Sequence, residues 1–141
     1  MAKTIGEQAT ELRIATFRLA RRLRAEKADG ELSDAHFSVL AGLHWHGALT
    51  LTALAEREGV SAPSMNRTVN CLEEGGYIER VADESDRRKV IIALTDAGQA
   101  TVKDTVKKRD RWLHQQLRSL SPEDRATLAA ATDIMRSLTT Q

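Results

Sequence analysis

Apolar positions return at helical spacing through most of this chain, and at strand spacing in one short stretch. Between about Ile5 and Lys27, Leu12, Ala15 or Thr16, Leu19 and Leu23 fall on one stripe. That period predicts an amphipathic helix, and the segment is rich in good helix formers. "ADGELS" breaks the pattern through Gly30. Ser33 has the character of an N-cap for a second helix, "DAHFSVLAGLHWHG", which Gly47 ends. Phe37, Leu40, Ala41 and His44 are expected to face inward there. "ALT" is long enough only for a bridge-like strand. Thr52 is expected to cap a short helix running to about Glu58, with Leu54 and Ala55 inward and Gly59 as its stop. "VSAPS" is a turn. Ser61 then suits an N-cap, and Pro63 suits a first helical turn, where its missing N–H is not needed. This fourth helix runs to Glu74 and ends at Gly75-Gly76.

The pattern changes at "YIERVA" and "KVIIAL", two β-type runs joined by the polar, charged "DESDRR". The connection is too long for a tight hairpin turn, so its tip should protrude. From Thr95 the chain is helical again, with Val102, Val106, Leu113 and Leu117 on one stripe and Trp112 beside it. "SPED" restarts it with Ser121 as N-cap, Pro122 at the first position and Asp124 at the third, close to a capping box. The last helix extends to about Leu138, with Leu128, Ala131, Met135 and Leu138 in step. Helix–turn–helix followed by a projecting hairpin defines a winged helix–turn–helix. The fold class is mainly α with a small β-wing (α+β), with helices outside the winged part at both ends.

Composition narrows the picture further. The chain has 141 residues, 41% hydrophobic and 29% charged, the balance of one ordinary globular domain rather than a disordered chain. A net charge of +1 names no partner. No apolar run approaches the ~20 residues of a membrane span, and the N-terminus lacks a signal-peptide core. A cytoplasmic protein with no membrane partner is expected. With a single cysteine, Cys71, no intrachain disulfide can form, and a Cys-based zinc site is not expected.

The segment "VSAPSMNRTVNCLEEGGYIER" carries the chemistry. Met65, Val69 and Leu72 are spaced by four and three, so they form the packed face of the fourth helix. The opposite face then holds Pro63, Arg67, Asn70 and Glu74, flanked by Ser64, Asn66 and Cys71. Its N-terminal half is small, polar and cationic, which suits entry into a DNA major groove. Serine and asparagine bond phosphates or base edges, and arginine can bind guanine bidentately. The helix start, capped by Ser61, offers backbone N–H groups to a phosphate. The hairpin tip adds Arg87, Arg88 and Lys89, and an arginine on a narrow loop can reach into a minor groove. Asp86 would repel DNA if free, so it is expected to pair with a neighbouring arginine and aim it. A protein-docking module that binds no DNA is the competing reading. Residues 61–89 hold five Lys or Arg against six acids, so no strong basic patch exists by count.

The same segment, continued through "VADESDRRKVIIALTDAG", resembles the MarR family of bacterial winged helix–turn–helix transcription regulators. The family's recognition helix has an Arg–x–Val–x–x–Leu core followed by Gly-Tyr/Leu-Ile-x-Arg, matched here from Arg67 to Arg80. Its wing has Asp–x–Arg, then a strand ending in Leu-Thr and a glycine, matched by Asp86, Arg88, Leu94, Thr95 and Gly98. The resemblance covers nearly the whole chain as a single MarR-like domain, 1–141. It implies a DNA-binding part at 33–95 and dimerisation helices at 1–30 and 96–141. It also implies a homodimer on palindromic double-stranded operator DNA, acting as a repressor released by a small lipophilic or aromatic effector. By the family pattern, Arg88 would enter the minor groove with Asp86 as its partner, and Arg67 and its neighbours the major groove. Asn66 stands where the family more often has Ser or Thr, and Pro63 is unusual; both bear on base preference rather than on binding mode.

Other candidates carry less. His36, His44, His46 and His114 form no metal-ligand set at sequence spacing, so neither metal nor cofactor is expected. The hydroperoxide-sensing branch of the family uses a cysteine in its first helix, which this chain lacks; Cys71 is expected to be a small packing residue. Trp45 and Trp112 could line an effector pocket or simply pack. No nucleophile–base pair, phosphate loop or paired carboxylates point to an enzyme.

Overall fold

The structure, a computed structural model, describes residues 1–27, 30 and 32–140. Among these residues, six helices and a two-stranded sheet follow in the order α1 (Ile5–Ala25), α2 (Asp34–His46), α3 (Leu51–Glu58), α4 (Ala62–Glu74), β1 (Ile78–Ala82), β2 (Val90–Leu94), α5 (Asp96–Arg118) and α6 (Pro122–Thr139). The architecture is the expected mainly α fold with a β-wing. The break expected at "ADGELS" lies partly outside the described residues.

Hydroxyl caps set most of the helix starts. Ser33, Ser61 and Ser121 accept from the backbone N–H groups of His36, Ser64 and Asp124 at 3.2, 3.2 and 3.1 Å. Thr4 and Glu7 form a reciprocal capping box at α1. The cap of α3 is Thr50 and not Thr52: Thr50 Oγ1 accepts from the Ala53 N–H at 3.1 Å. The reason is a non-local pairing with β2. Leu49 exchanges backbone hydrogen bonds with Ile92 at 3.1 and 2.7 Å, which holds the chain extended up to Thr50 and lets helix begin at Leu51. The "ALT" segment is thus the bridge-like strand its length suggested.

The chain forms two compact units, 1–27 with 108–141 and 28–107. The second unit is built on one core: Val39, Leu40 and Leu43 of α2, Leu54 and Ala55 of α3, Met65, Val69 and Leu72 of α4, Ile78, Ile92 and Val102. In α2 the inward face differs from expectation. Val39 and Leu43 are buried with Leu40, whereas Phe37, Ala41 and His44 are only half-buried. This helix is apolar around most of its circumference, so periodicity alone does not orient it. Its neighbours α3 and the wing decide which residues are covered. His44 lies at the edge of this core, where its Nδ1 hydrogen-bonds Gln99 Oε1 at 2.7 Å.

β1 and β2 pair antiparallel, Ile78 opposite Leu94 through Ala82 opposite Val90. The Thr95 hydroxyl ties their base to α4 and α5. It donates to Gly76 O at 2.6 Å and accepts from the Gly98 N–H at 3.1 Å, while the Thr95 N–H donates to Tyr77 O at 3.1 Å. The other unit comprises α1, α6 and the C-terminal half of α5. Arg22 lies over the Trp112 ring at 5.0 Å, and Leu19, Leu113, Leu117 and Leu128 line an apolar groove of about 280 Å³. Neither α1 nor α6 has a buried residue. No described helix is long and apolar enough to cross a membrane.

Candidate nucleic-acid interface

Helix α4 presents four stripes, each set by its angle from the packed one. Met65, Val69 and Leu72 are buried, as their spacing predicts. Arg67, Cys71 and Glu74, two positions further on, point roughly opposite and are exposed. Cys71 is therefore not a packing residue: it lies on the outward stripe four residues after Arg67, and its thiol is exposed. On one flank Ser64 and Thr68 border a small hollow with Ala35, Val39, Glu58 and Val60. Ser64 thus sits at the helix start, turned toward α2 and the α3–α4 turn.

The other flank holds Asn66, Asn70 and Glu73, and β1 reaches it. Arg80 Nη2 donates to Asn66 Oδ1 at 2.9 Å and to Asn70 Oδ1 at 3.0 Å, and Nη1 donates to Glu73 Oε1 at 2.8 Å. Asn70 is exposed, as expected, and its oxygen is held from the side of β1. A hydrogen-bond link between a strand and a helix leaves no periodic signal, so the sequence shows Arg80 only as the last residue of the Gly-Tyr-Ile-x-Arg motif.

The start of α4 is a poorer phosphate cradle than a bare helix N-terminus. Pro63 has no N–H, and the Ser64 N–H is taken by Ser61. Of the first three helical residues, this leaves the Ala62 N–H to an external acceptor.

The wing tip is a tight, self-bonded loop. The Asp83 N–H donates to Lys89 O at 3.0 Å and the Lys89 N–H to Asp86 O at 2.9 Å, with Ser85 held on Asp83 Oδ1. Asp86 Oδ1 accepts the Arg88 N–H at 3.1 Å and lies 3.5 Å from Arg88 Nε. The backbone bond is the firmer of the two. The side-chain pair is long, and the Arg88 side chain is 95% exposed. Asp86 thus acts first by building the turn that carries Arg88, and second as its counter-charge. Arg87 and Lys89 are exposed beside it.

Helix α4, the turn before it and the hairpin after it belong to one compact unit, with cations at the helix face and at the loop tip. The family model described as MarR family matches residues 32–90, from the start of α2 through α4 and β1 to the first residue of β2. The HTH-type transcriptional regulator Mb0904 of Mycobacterium bovis is 35% identical over 130 residues, which cover 92% of this chain and 91% of that protein. The chain belongs to the MarR family. Solved structures agree on the fold. A MarR family protein from Bacillus stearothermophilus superimposes with a TM-score of 0.84 at 24% identity, over 99% of this chain and 100% of that one. Bordetella bronchiseptica BpsR, whose structure is described as the mechanism for regulation of its DNA binding by 6-hydroxynicotinic acid, matches with a TM-score of 0.67 at 24% identity, covering 96% and 98% of the two chains.

Membership gives the motif residues a structural sense. In this MarR-family chain the Leu-Thr-x-x-Gly element is the joint between wing and α5, through Thr95 and Gly98. The Asp–x–Arg element is a turn with an arginine on it. The relatives are transcriptional regulators, a class that is not enzymatic.

Proposed function

We propose that this MarR-family regulator binds a palindromic DNA operator as a homodimer and represses transcription by occupying it, until a small lipophilic or aromatic effector releases it. The observation that carries the reading is the exposed Arg67 stripe of α4 in the same unit as the exposed Arg87, Arg88 and Lys89 of the wing. A helix presenting small polar and cationic groups suits a major groove, and a cationic loop tip suits the adjacent minor groove. Ser61, Ser64, Asn66 and Asn70 would complete the helix contact, with Asp86 holding the wing turn.

Dimerisation is supported by apolar surface that one chain leaves uncovered. Leu12, Phe17 and Leu19 on α1 and Leu128, Ile134, Met135 and Leu138 on α6 are all at least 40% exposed. Two half-sites about 10 bp apart would match one turn of DNA. BpsR, a neighbour of the same fold, is regulated by a small aromatic acid, which supports the effector class. The protein would act in the cytoplasm, where its operator lies, without cofactor or metal.

The test uses Arg67→Ala beside the wild type, on genomic fragments retained by the wild-type protein and on random duplex, at two salt concentrations. A guanine contact predicts a loss of roughly 1–3 kcal/mol on the retained site and relaxed preference at one position. A phosphate contact predicts the same loss on all sequences and a salt slope smaller by about one unit. If the wild type retains no DNA at any salt, the docking-module reading takes over, as the near balance of charge over residues 61–89 would favour.

A further inference from the structure

We propose that Arg80 is a positioning residue that fixes the amides of Asn66 and Asn70 with their NH2 groups left for outside contacts, so that these two side chains favour acceptor-rich base edges over adenine. The inference rests on the DNA-binding reading above and deepens it.

The geometry starts from the helix period. Asn66, Asn70 and Glu73 are four and three residues apart, so their side chains form one row along α4. β1 runs beside that row, and Arg80 extends its guanidinium along it. One nitrogen, Nη2, reaches both asparagine oxygens at 2.9 and 3.0 Å, and Nη1 reaches Glu73 at 2.8 Å. Glu73 neutralises the guanidinium locally, and the pair is only partly exposed, 30% and 40% at the side chains. The planar fork is suited to holding several oxygens at once, which a point-like ammonium is not.

The chemistry then dictates which way both amides face. A guanidinium has donors only, so the atom it meets on each asparagine must be the carbonyl oxygen. That assignment does not depend on telling oxygen from nitrogen by position. With Oδ1 engaged, each side chain keeps its NH2 for outside contacts. Arg67 on the adjacent stripe also has donors only. The outward half of α4 therefore offers NH groups from Asn66, Arg67 and Asn70.

Base edges differ in what they give back. In the major groove guanine shows two acceptors, N7 and O6, and thymine shows O4. Adenine shows one acceptor beside an N6 donor. The usual asparagine–adenine pair needs the amide to accept from N6 and donate to N7 together. With one lone pair of its oxygen taken and its amide plane fixed by Arg80, each asparagine is less free to turn oxygen and nitrogen together onto that edge. Guanine or thymine is expected opposite the two side chains, and adenine is disfavoured there.

The experiment selects binding sites from a random duplex pool with the wild type, Arg80→Met and Arg80→Lys, then measures Kd on the best site and on each single-base variant. Arg80→Lys keeps the positive charge but loses the fork, so it separates a guanidinium effect from simple attraction to DNA. The expected result is that both variants bind, and that adenine gains about fivefold or more against guanine at one or both positions, the low end of what a bidentate pair discriminates. Unchanged base preference in variants that bind DNA would overturn the role of Arg80 while leaving the DNA-binding reading intact. Failure of the wild type to retain DNA would remove that reading and this inference with it. The wild-type protein supplies a check that needs no variant. Arg80 Nη protons should be resolved and slowly exchanging by NMR, and fast averaging of them would remove the clamp.

Discussion

Replacing Gly98 with alanine should destabilise the winged unit, although alanine is the better helix former. Gly98 is the third residue of α5, packed against the last residue before β1. A Cβ built on it would lie 2.0 Å from Tyr77 O and 3.0 Å from Leu94 Cδ2. Ordinary C···O contacts lie at roughly 3.3 Å or more, so the two segments would have to separate by about 1 Å. Tyr77 O accepts the Thr95 N–H at 3.1 Å, and the Thr95 hydroxyl bridges Gly76 O and the Gly98 N–H. Separation would lengthen these bonds together. Losing one such bond costs about 1 kcal/mol, and overpacking a fixed site costs roughly 1–3 kcal/mol. Alanine returns at most about 1 kcal/mol of helix propensity. The net loss is on the order of 1–3 kcal/mol. Urea unfolding at one fixed protein concentration reads this as a fall in midpoint of roughly 1 M, with slopes in the usual range. Gly6→Ala is the internal control. Gly6 also stands in a first helical turn, yet its added Cβ would meet only Thr4 Oγ1 at 3.9 Å, so stability should hold or rise by up to about 1 kcal/mol. A Gly98→Ala midpoint equal to or above wild type would refute the reasoning, since the α5 joint would then relax at no cost.

Further outcomes concern the wing and the assembly. Arg88→Ala should weaken operator binding by about 1–3 kcal/mol with an unchanged melting curve, because the side chain is almost wholly exposed. Asp86→Ala should also weaken binding, whereas Asp86→Asn, which can accept the same backbone N–H, should keep most of it; tighter binding by Asp86→Ala would mean that the carboxylate merely repels DNA. Leu12→Asp or Leu138→Asp should dissociate or unfold the protein, since obligate dimers often lack a stable folded monomer, and sedimentation of the wild type as a monomer at micromolar concentration would refute the dimer.

Local signals were enough to place most elements. Ser33, Ser61 and Ser121 announce helices because an N-cap hydroxyl bonds an N–H only three residues away. Met65, Val69 and Leu72 announce their face because one helix turn repeats within four. The wing was legible in the switch from helical spacing to "YIERVA" and "KVIIAL", and the MarR resemblance rested on residues within that stretch. The cap of α3 was misplaced by two residues because a non-local bridge, Leu49 to Ile92, decides where extended backbone ends. Cys71 is exposed rather than packed, and Asn70 is bonded to Arg80, for a related reason: one helical step of about 100° separates a packed, a bonded and an open position, and only the neighbouring β1 distinguishes them.

What the chain determined by itself is whatever acts within about one helical turn or one strand pair: the six helices, the hairpin, the buried stripe of α4 and the cationic loop tip. These depend on backbone geometry and side-chain type, which the order of residues carries directly. Only the tertiary structure decided that Arg80 holds Asn66, Asn70 and Glu73, that Asp86 bonds the Arg88 backbone more closely than its guanidinium, and that Gly98 must lack a side chain because Tyr77 O lies where a Cβ would be. Each of these depends on the distance between segments far apart along the chain or on the shape of a loop. Such distances follow from how the whole core packs, which no local period records.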